Sequence, residues 1–332
     1  MNHHSSIDPR RLFREVAIFA KPVVARSVFE LLITVVPFVL LWAMAWAAVA
    51  NGYWLGLLFA IPAGGLLLRL FVIQHDCGHG SLFRRRATND WVGRALSVLT
   101  LTPYDSWRTS HAKHHATSGN LGKRGTGDID TLTVAEYQAR SPRQRVLYRL
   151  YRNPIVFLAI GPAYTFLLRN RFPGIGSGGW RAWLSTLATN AAIGTVAAAV
   201  IWQIGFLQFI AIHVPIALIA ATAGVWLFYV QHQFEHTVWD SDDEWGFHEA
   251  ALHGSSYYDL PLILRWFTGN IGIHHVHHLA SRIPFYRLPQ VLKAHPELAN
   301  VGRLTLGQSL ATTRLRLWDE DNRRLRSFSE AI

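Results

Sequence analysis

Two long apolar stretches lie close together near the start of the chain. Residues 31–50 contain no charged residue, and the stretch 53–74, which follows an Asn-Gly link, is interrupted only by Arg69. Twenty helical residues with a rise of about 1.5 Å each cover roughly 30 Å, the thickness of the hydrocarbon core of a bilayer. Because the link is too short to cross a bilayer, we predict a transmembrane hairpin over residues 31–74.

The same pattern returns in the second half of the chain. Residues 183–204 and 206–231 carry no Lys, Arg, Asp or Glu and are separated only by Gly205. Buried helices of soluble proteins rarely stay uncharged over twenty residues, so we predict a second transmembrane hairpin over residues 183–231. A shorter uncharged run over 153–168 contains prolines, and we predict an interfacial or re-entrant helix there. The predicted fold class is an all-α integral membrane protein with four transmembrane helices.

The distribution of Lys and Arg predicts the orientation of the hairpins. Both hairpin tips lack basic residues, whereas the segments 1–30 and 75–182 are rich in them. The positive-inside rule therefore places the tips outside and the segments 1–30, 75–182 and 232–332 in the cytoplasm, the last two as a helical cap. For a bacterial chain, this describes a multi-pass protein of the cytoplasmic membrane.

The composition excludes several other classes of protein. Half of the residues are hydrophobic, which excludes a disordered chain. Cys77 is the only cysteine, which excludes a disulfide-built domain and a cysteine-ligated metal centre. The net charge of +11 would suit nucleic acid, but the predicted spans favour anionic lipid instead.

Histidines are concentrated in four short segments, QHDCGHGS, SHAKHH, VQHQFEHT and GIHHVHHL, two of which directly follow predicted spans. Positions i, i+3 and i+4 share one face of a helix, so H-x-x-x-H and H-x-x-H-H place imidazoles on one stripe. Ten histidines fit these patterns: His75, His79, His111, His114, His115, His232, His236, His274, His277 and His278. Imidazole binds iron, zinc, copper and nickel, and ten ligands suit two ions better than one. We predict a nitrogen-rich dimetal site on the cytoplasmic side.

The other histidines are expected to lie outside this site. His213 is alone within a predicted span and is expected to pack there, and His275 lies off the stripe of its cluster. His248 and His253 remain open between a structural role and support of the ligands. The histidines expected at the surface are His3, His4 and His295.

The order HDCGH, H-x-x-H-H, H-x-x-H-H around two hairpins resembles the integral-membrane fatty acid desaturase family, over roughly residues 30–295. The segments HDCGHGSLF, PYDSWRTSHAKHH, GDIDTLT and GNIGIHHVHHLASRIPFYRLP are similar to its omega-6 (Δ12-type) acyl-lipid branch. The resemblance implies that the ten histidines hold two iron ions. His236 would be a lone ligand before the last motif, and His232 stands four residues earlier.

The resemblance also implies an activity and its partners. The protein would insert a cis double bond into a lipid acyl chain with dioxygen as co-substrate. The sequence has no HPGG haem motif, only His295-Pro296-Glu297, so electrons would come from a separate donor such as ferredoxin. An acyl, alkane or carotenoid hydroxylase on the same scaffold is the alternative. A metal transporter is a remote one, because the spans hold only His213 at depth.

Charged residues near the histidines suggest supporting roles. The acidic residues that could orient the imidazoles are Asp76, Asp105, Asp128, Asp130 and Glu235. Arg69 could extend to a lipid phosphate. Arg84, Arg85 and Arg86 could receive an acidic electron donor or simply follow the positive-inside rule.

Overall fold

The four predicted apolar stretches form four long helices. The computed structural model describes residues 8–125, 127–173 and 179–330. In these ranges, the helices long and apolar enough to cross a membrane are Val24–Ala50, Trp54–His79, Gly179–Ile204 and Phe206–His232. The first begins at Val24 rather than at residue 31, and its additional turns contain Arg26 and Glu30, which form an i, i+4 ion pair. The predicted all-α membrane fold is confirmed.

Besides the four long helices, the structure contains short helices and a few very short strands, and all of them are numbered here in chain order. The α-helices are α1 Pro9–Val16, α2 Val24–Ala50, α3 Ala60–His79, α4 Arg86–Leu99, α5 Tyr104–Thr117, α6 Val134–Ala139, α7 Pro142–Tyr151, α8 Gly161–Ala163, α9 Gly179–Ile204, α10 Phe206–His232, α11 Phe247–His253, α12 Leu262–Phe267, α13 His274–Leu279, α14 Leu288–Ala294 and α15 Leu306–Ala311. The strands are β1 Leu132–Thr133, β2 Tyr257–Asp259, β3 Arg303–Thr305, β4 Leu317–Asp319 and β5 Arg324–Arg326. A 3-10 turn, Trp54–Phe59, leads into α3.

Glycines allow the tight turn and the close packing of the long helices. Gly205 joins α9 to α10 as a single residue with a φ of +89°, a conformation that glycine adopts without strain. On α3, a Cβ at Gly64 would lie 2.6 Å from Cγ2 of Ile219 on α10. The two helices therefore approach more closely than a larger residue would permit. They end at His79 and His232, which lie at the same end of the bundle.

Arg69 does not reach a lipid phosphate, so that prediction is wrong. Its side chain is 2% exposed and forms an ion pair with Glu30 of α2, which is equally buried. Its Nε donates to Oγ1 of Thr34 at 3.2 Å, and its guanidinium carbon lies 4.4 Å from the ring centroid of Trp266. A buried arginine is stable only when paired, and this pair joins α2, α3 and α12.

The segment 153–168 packs against the long helices. It contains two π-helical turns, Val156–Ile160 and Tyr164–Leu168, on either side of α8. Oγ1 of Thr222, on α10, donates to the carbonyl of Leu158 at 2.9 Å. The segment therefore lies beside α10, and its position at the membrane interface remains a prediction.

Short strands fasten the C-terminal tail to the rest of the cap. β1 pairs with β4 in parallel, and β5 adds antiparallel to β4. β2 and β3 form a separate parallel pair. The buried Arg152 donates to the side chain of Gln233 and to the carbonyl of Leu315, and so connects α10 with the tail.

Candidate metal centre

The ends of α3 and α10 meet α5 and α13, and nine of the ten predicted histidines come together in two groups. The five-histidine group consists of His75, His79, His111, His115 and His277. The four-histidine group consists of His114, His232, His274 and His278. Within each group the candidate ligand atoms lie within 4.8 Å of one another. Two separate clusters of imidazoles are what two metal ions would require.

Each H-x-x-H-H motif contributes to both groups. On α5, His111 and His115 lie in the five-histidine group, and His114 lies in the other. On α13 the arrangement is reversed, because His274 and His278 lie in the four-histidine group. The i+3 and i+4 residues lie on opposite sides of residue i, about 100° apart around the helix axis. The single stripe predicted for the three imidazoles of each motif is therefore divided between the two groups. Two adjacent histidines thus serve two different groups.

The ring nitrogens converge at spacings that fit bound ions. In the five-histidine group, Nε2 of His111 lies 3.1 Å from Nε2 of His79 and 3.1 Å from Nε2 of His115. In the four-histidine group, Nε2 of His232 lies 3.2 Å from that of His114 and 3.1 Å from that of His274. Imidazole nitrogens bound about 2.1 Å from one ion would lie roughly 3.0–3.4 Å apart. The residues present therefore fit a metal in each group.

Burial keeps the imidazoles in the form that binds metal. Loss of hydration, with a smaller contribution from neighbouring imidazoles, lowers the pKa of several ring nitrogens well below the usual 6.5. The histidines outside the spanning helices for which this holds are His111, His115, His274, His277 and His278. These rings are neutral at pH 7, and neutral imidazole is the form that donates a lone pair to a metal.

The second ring nitrogens have partners mainly in the four-histidine group. Nδ1 of His114 hydrogen-bonds the carboxylate of Asp128, and Nδ1 of His232 lies 3.3 Å from the carbonyl of Gly254. In the five-histidine group, Nδ1 of His75 lies 3.4 Å from Oδ1 of Asp76. Such partners fix the tautomer and orientation of a metal ligand. The sequence suggested the two aspartates, but nothing in it pointed to the carbonyl of Gly254.

Some buried ring nitrogens lack a hydrogen-bond partner among the described residues. They are Nδ1 of His274, His275 and His277 and Nε2 of His278. A buried polar atom without a partner is costly. For Nε2 of His278, which lies in the four-histidine group, a metal ion would remove that cost.

The other acidic candidates do not contact the imidazoles. Asp105 pairs with Arg94 and with Ser185 of α9, so it holds helices together. Asp130 and Glu235 are exposed.

His236 is the one predicted ligand that lies apart from both groups. Its side chain is exposed, whereas His232 is buried in the four-histidine group. The reason is local: α10 ends at His232, so the i, i+4 stripe does not continue to His236. Of the two predicted ligands, the structure brings His232, and not His236, together with the other imidazoles.

Among the described residues, the histidines outside the patterns also lie outside both groups. Nε2 of His275 lies 3.1 Å from the carbonyl of Leu298. His213 stacks on Phe209, and the ring of His248 packs against Phe13. His253 and His295 lie near Glu249 and Glu297, and His3 and His4 lie outside the described residues.

Comparisons with known proteins identify relatives of this chain. The family model described as "Fatty acid desaturase" matches residues 52–308. A "Fatty acid desaturase" of Bacillus subtilis is 46% identical over 96% of this chain and 90% of its own length. An "sn-1 acyl-lipid omega-3 desaturase (ferredoxin)" of Synechocystis is 30% identical over 75% of this chain and 70% of its own length. An "sn-1 oleoyl-lipid 12-desaturase" of Anabaena variabilis is 27% identical over 72% of this chain and 71% of its own length.

Proposed function

Since the chain belongs to the fatty acid desaturase family and is a membrane oxidoreductase, we propose that it introduces a cis double bond of the Δ12 (omega-6) type into a lipid acyl chain. The observation that carries this is the pair of adjacent imidazole groups at the end of the membrane-spanning bundle. In the overall reaction two C–H hydrogens leave the chain. With two electrons and two protons from outside, dioxygen becomes two molecules of water.

We propose that the nine grouped histidines hold two iron ions. Oxidation of an unactivated methylene pair needs an oxidant that no side chain supplies, and iron with dioxygen supplies it. The chain contributes neutral imidazoles in two groups, of which the four-histidine group is fully buried, and Asp128 holds one of its imidazoles in a single orientation. His236, which lies apart, has no part in this proposal.

The position of the new double bond is the finer part of the proposal. It is supported by the likeness of GDIDTLT and GNIGIHHVHHL to the Δ12-type branch and by the 12-desaturase among the relatives. Omega-3 enzymes are also among the relatives, and one of them is more similar to this chain. The bond position therefore has to be measured directly.

The test is the fatty acid profile of a host that expresses the chain, with double bonds localised by mass spectrometry. The matched control is His278→Ala, which removes one imidazole of the four-histidine group. We expect a diene with its new bond at the Δ12 position, absent from the control. An omega-3 product would overturn the Δ12 assignment, and a hydroxylated product would replace desaturation by the alternative chemistry.

We further propose that a separate acidic protein such as ferredoxin supplies the electrons on the cytoplasmic side. Arg84 and Arg85 are exposed beside the start of α4, and exposed cations favour encounter with an acidic partner. In Arg84→Glu/Arg85→Glu, ferredoxin-driven turnover should fall about tenfold at low salt, with turnover driven by a small chemical reductant unchanged. Equal turnover with ferredoxin would exclude this docking site.

A further inference from the structure

A single ring interrupts the tight packing of α3 just before its histidines. From Leu66 to Cys77 every residue is buried except Phe71, which is partly exposed. Phe71 stands four residues before His75, so its ring lies one helical turn below that imidazole on the same face. Phe71 is thus the one residue of this stretch with appreciable accessible surface, and it lies directly next to the five-histidine group.

The same arrangement occurs on α10. From Leu227 to Phe234 every residue is buried except Phe228, which is partly exposed. Phe228 stands four residues before His232, and its ring centroid lies 5.2 Å from that of His232 and 5.1 Å from that of His114. Phe228 is therefore the matching partly exposed ring, and it lies next to the four-histidine group.

A third aromatic ring occupies the equivalent position on α5. Trp107 stands four residues before His111, is partly exposed, and stacks on the imidazole of His111 with the ring centroids 4.6 Å apart. Its ring also lies 5.4 Å from that of Phe71. Phe71 in turn contacts Phe166, in the second π-helical turn of the segment beside α10. A row of partly exposed rings therefore leads from this segment to the histidines.

We infer that Phe71, Trp107 and Phe228 line the channel in which the acyl chain lies, and that they determine which carbons of the chain face the two histidine groups. This inference rests on the proposed function and adds to it the specificity-determining residues. Phe71 and Phe228 belong to helices that are long and apolar enough to cross the membrane, in which the acyl chains of lipids lie.

The chemistry of the three rings suits a hydrocarbon chain. Phe71 and Phe228 offer no hydrogen-bonding group, and the stacked face of Trp107 is apolar, so none of them selects a polar ligand at this point. An apolar lining also keeps water from the reacting carbons. A pocket of rigid rings discriminates chain positions through steric fit, and one methylene in such a pocket changes selectivity about tenfold or more.

The first test changes the size of the rings one at a time. We expect Phe71→Ala, Trp107→Ala and Phe228→Ala each to shift the ratio of double-bond positions or the preferred chain length about tenfold, with iron content unchanged. Phe71→Leu and Phe228→Leu should shift it less, and they cover the case of an alanine variant that fails to fold. The control is Phe209→Ala, on α10 but stacked on His213, far from the histidine groups.

The second test does not depend on turnover. A phosphatidylcholine with a mid-chain diazirine is incorporated in membranes with the metal-loaded protein, without an electron donor, and is photolysed. The labelled peptides are then mapped. Labelling near Phe71 and Phe228 should saturate as the probe fraction rises, whereas labelling of the lipid-exposed α9 should rise in proportion.

The outcomes separate this inference from the proposed function. If the wild type forms a double bond but the three variants keep its position and chain-length preference, the inference is overturned. Labelling at Phe71 and Phe228 that never saturates would also overturn it. A wild type that forms no double bond refutes the proposed function, while saturable labelling still supports an acyl channel.

Discussion

The two histidine groups differ in how they meet their surroundings. All four imidazoles of the four-histidine group are buried, and two of them are oriented by Asp128 and by the carbonyl of Gly254. In the five-histidine group, His79 and His111 remain partly exposed. That group has one more imidazole but a single and longer carboxylate contact, at Asp76. The four-histidine group is thus distinguished by its burial and its orienting partners. The five-histidine group is distinguished by its additional imidazole.

This difference teaches that two ions held here would not be equivalent. An enclosed site with four ligands depends on each of them. Loss of one leaves three ligands and a vacant position that water does not reach. A site with five ligands and access to solvent tolerates the loss of one better, since water can take the vacant position. The partly exposed group is also the one that small reactants can approach.

The largest expected effect separates His232 from His236. His232→Ala should lower desaturation more than about 100-fold and reduce bound iron, because it removes an imidazole of the enclosed group. His236→Ala should leave both within about twofold, because its side chain is exposed and apart. Both quantities are measured in the two variants, desaturation by analysis of the fatty acid products and bound iron by metal determination. Loss of iron in His236→Ala would restore it as a ligand.

The next effect compares the loss of one ligand from each group. In His274→Ala the protein should retain about one iron per chain, whereas His111→Ala should retain more than one after the same dialysis. Iron per chain, measured by mass spectrometry after dialysis against a weak chelator, gives the comparison. Equal retention would mean that the number of imidazoles does not distinguish the groups.

A smaller effect is expected from the partner of His114. Asp128→Asn should weaken iron binding by about 10–100-fold, because the imidazole loses its charged orienting partner. The matched control is Asp130→Asn in the same loop, whose side chain is exposed. Chelator competition measures both variants. Equal binding in the two would show that Asp128 has no role in holding the ring.

The smallest expected effect is the pH dependence of the metal-free protein. The folded pKa values of His111, His115, His274, His277 and His278 lie below the usual 6.5, so the unfolded chain binds more protons under acidic conditions. Stability should therefore rise with pH up to about 6.5 and level off above it. Thermal unfolding at several pH values tests this, and His277→Asn should show a shallower slope. A midpoint that rises on acidification would contradict it.

Much of the fold could be predicted because the membrane imposes a simple rule. A helix in hydrocarbon has to exclude nearly all charge over about twenty residues, and the four apolar stretches, three of them uncharged, reveal this directly. Arg69 shows where the rule fails. Its partner Glu30 lies on another helix, 39 residues earlier in the chain, and no local pattern connects them.

The candidate site was predictable as a set of residues but not as an arrangement. The i, i+4 rule correctly grouped His111 with His115, because both lie well inside α5. It failed for His232 and His236, because it assumes a helix that in fact ends at His232. The division into two groups also depends on how α5 and α13 face each other, which a sequence pattern does not contain.

The way in which the two H-x-x-H-H motifs share their residues has a consequence for biosynthesis. His115 and His277 lie 3.2 Å apart, but 162 residues separate them in the chain. At roughly 5–20 residues per second, a ribosome needs about 8–32 seconds to extend the chain from one to the other. During that interval neither group is complete, because each takes residues from both motifs. A metal ion would therefore find its complete set of imidazoles in either group only after the second motif has been synthesised.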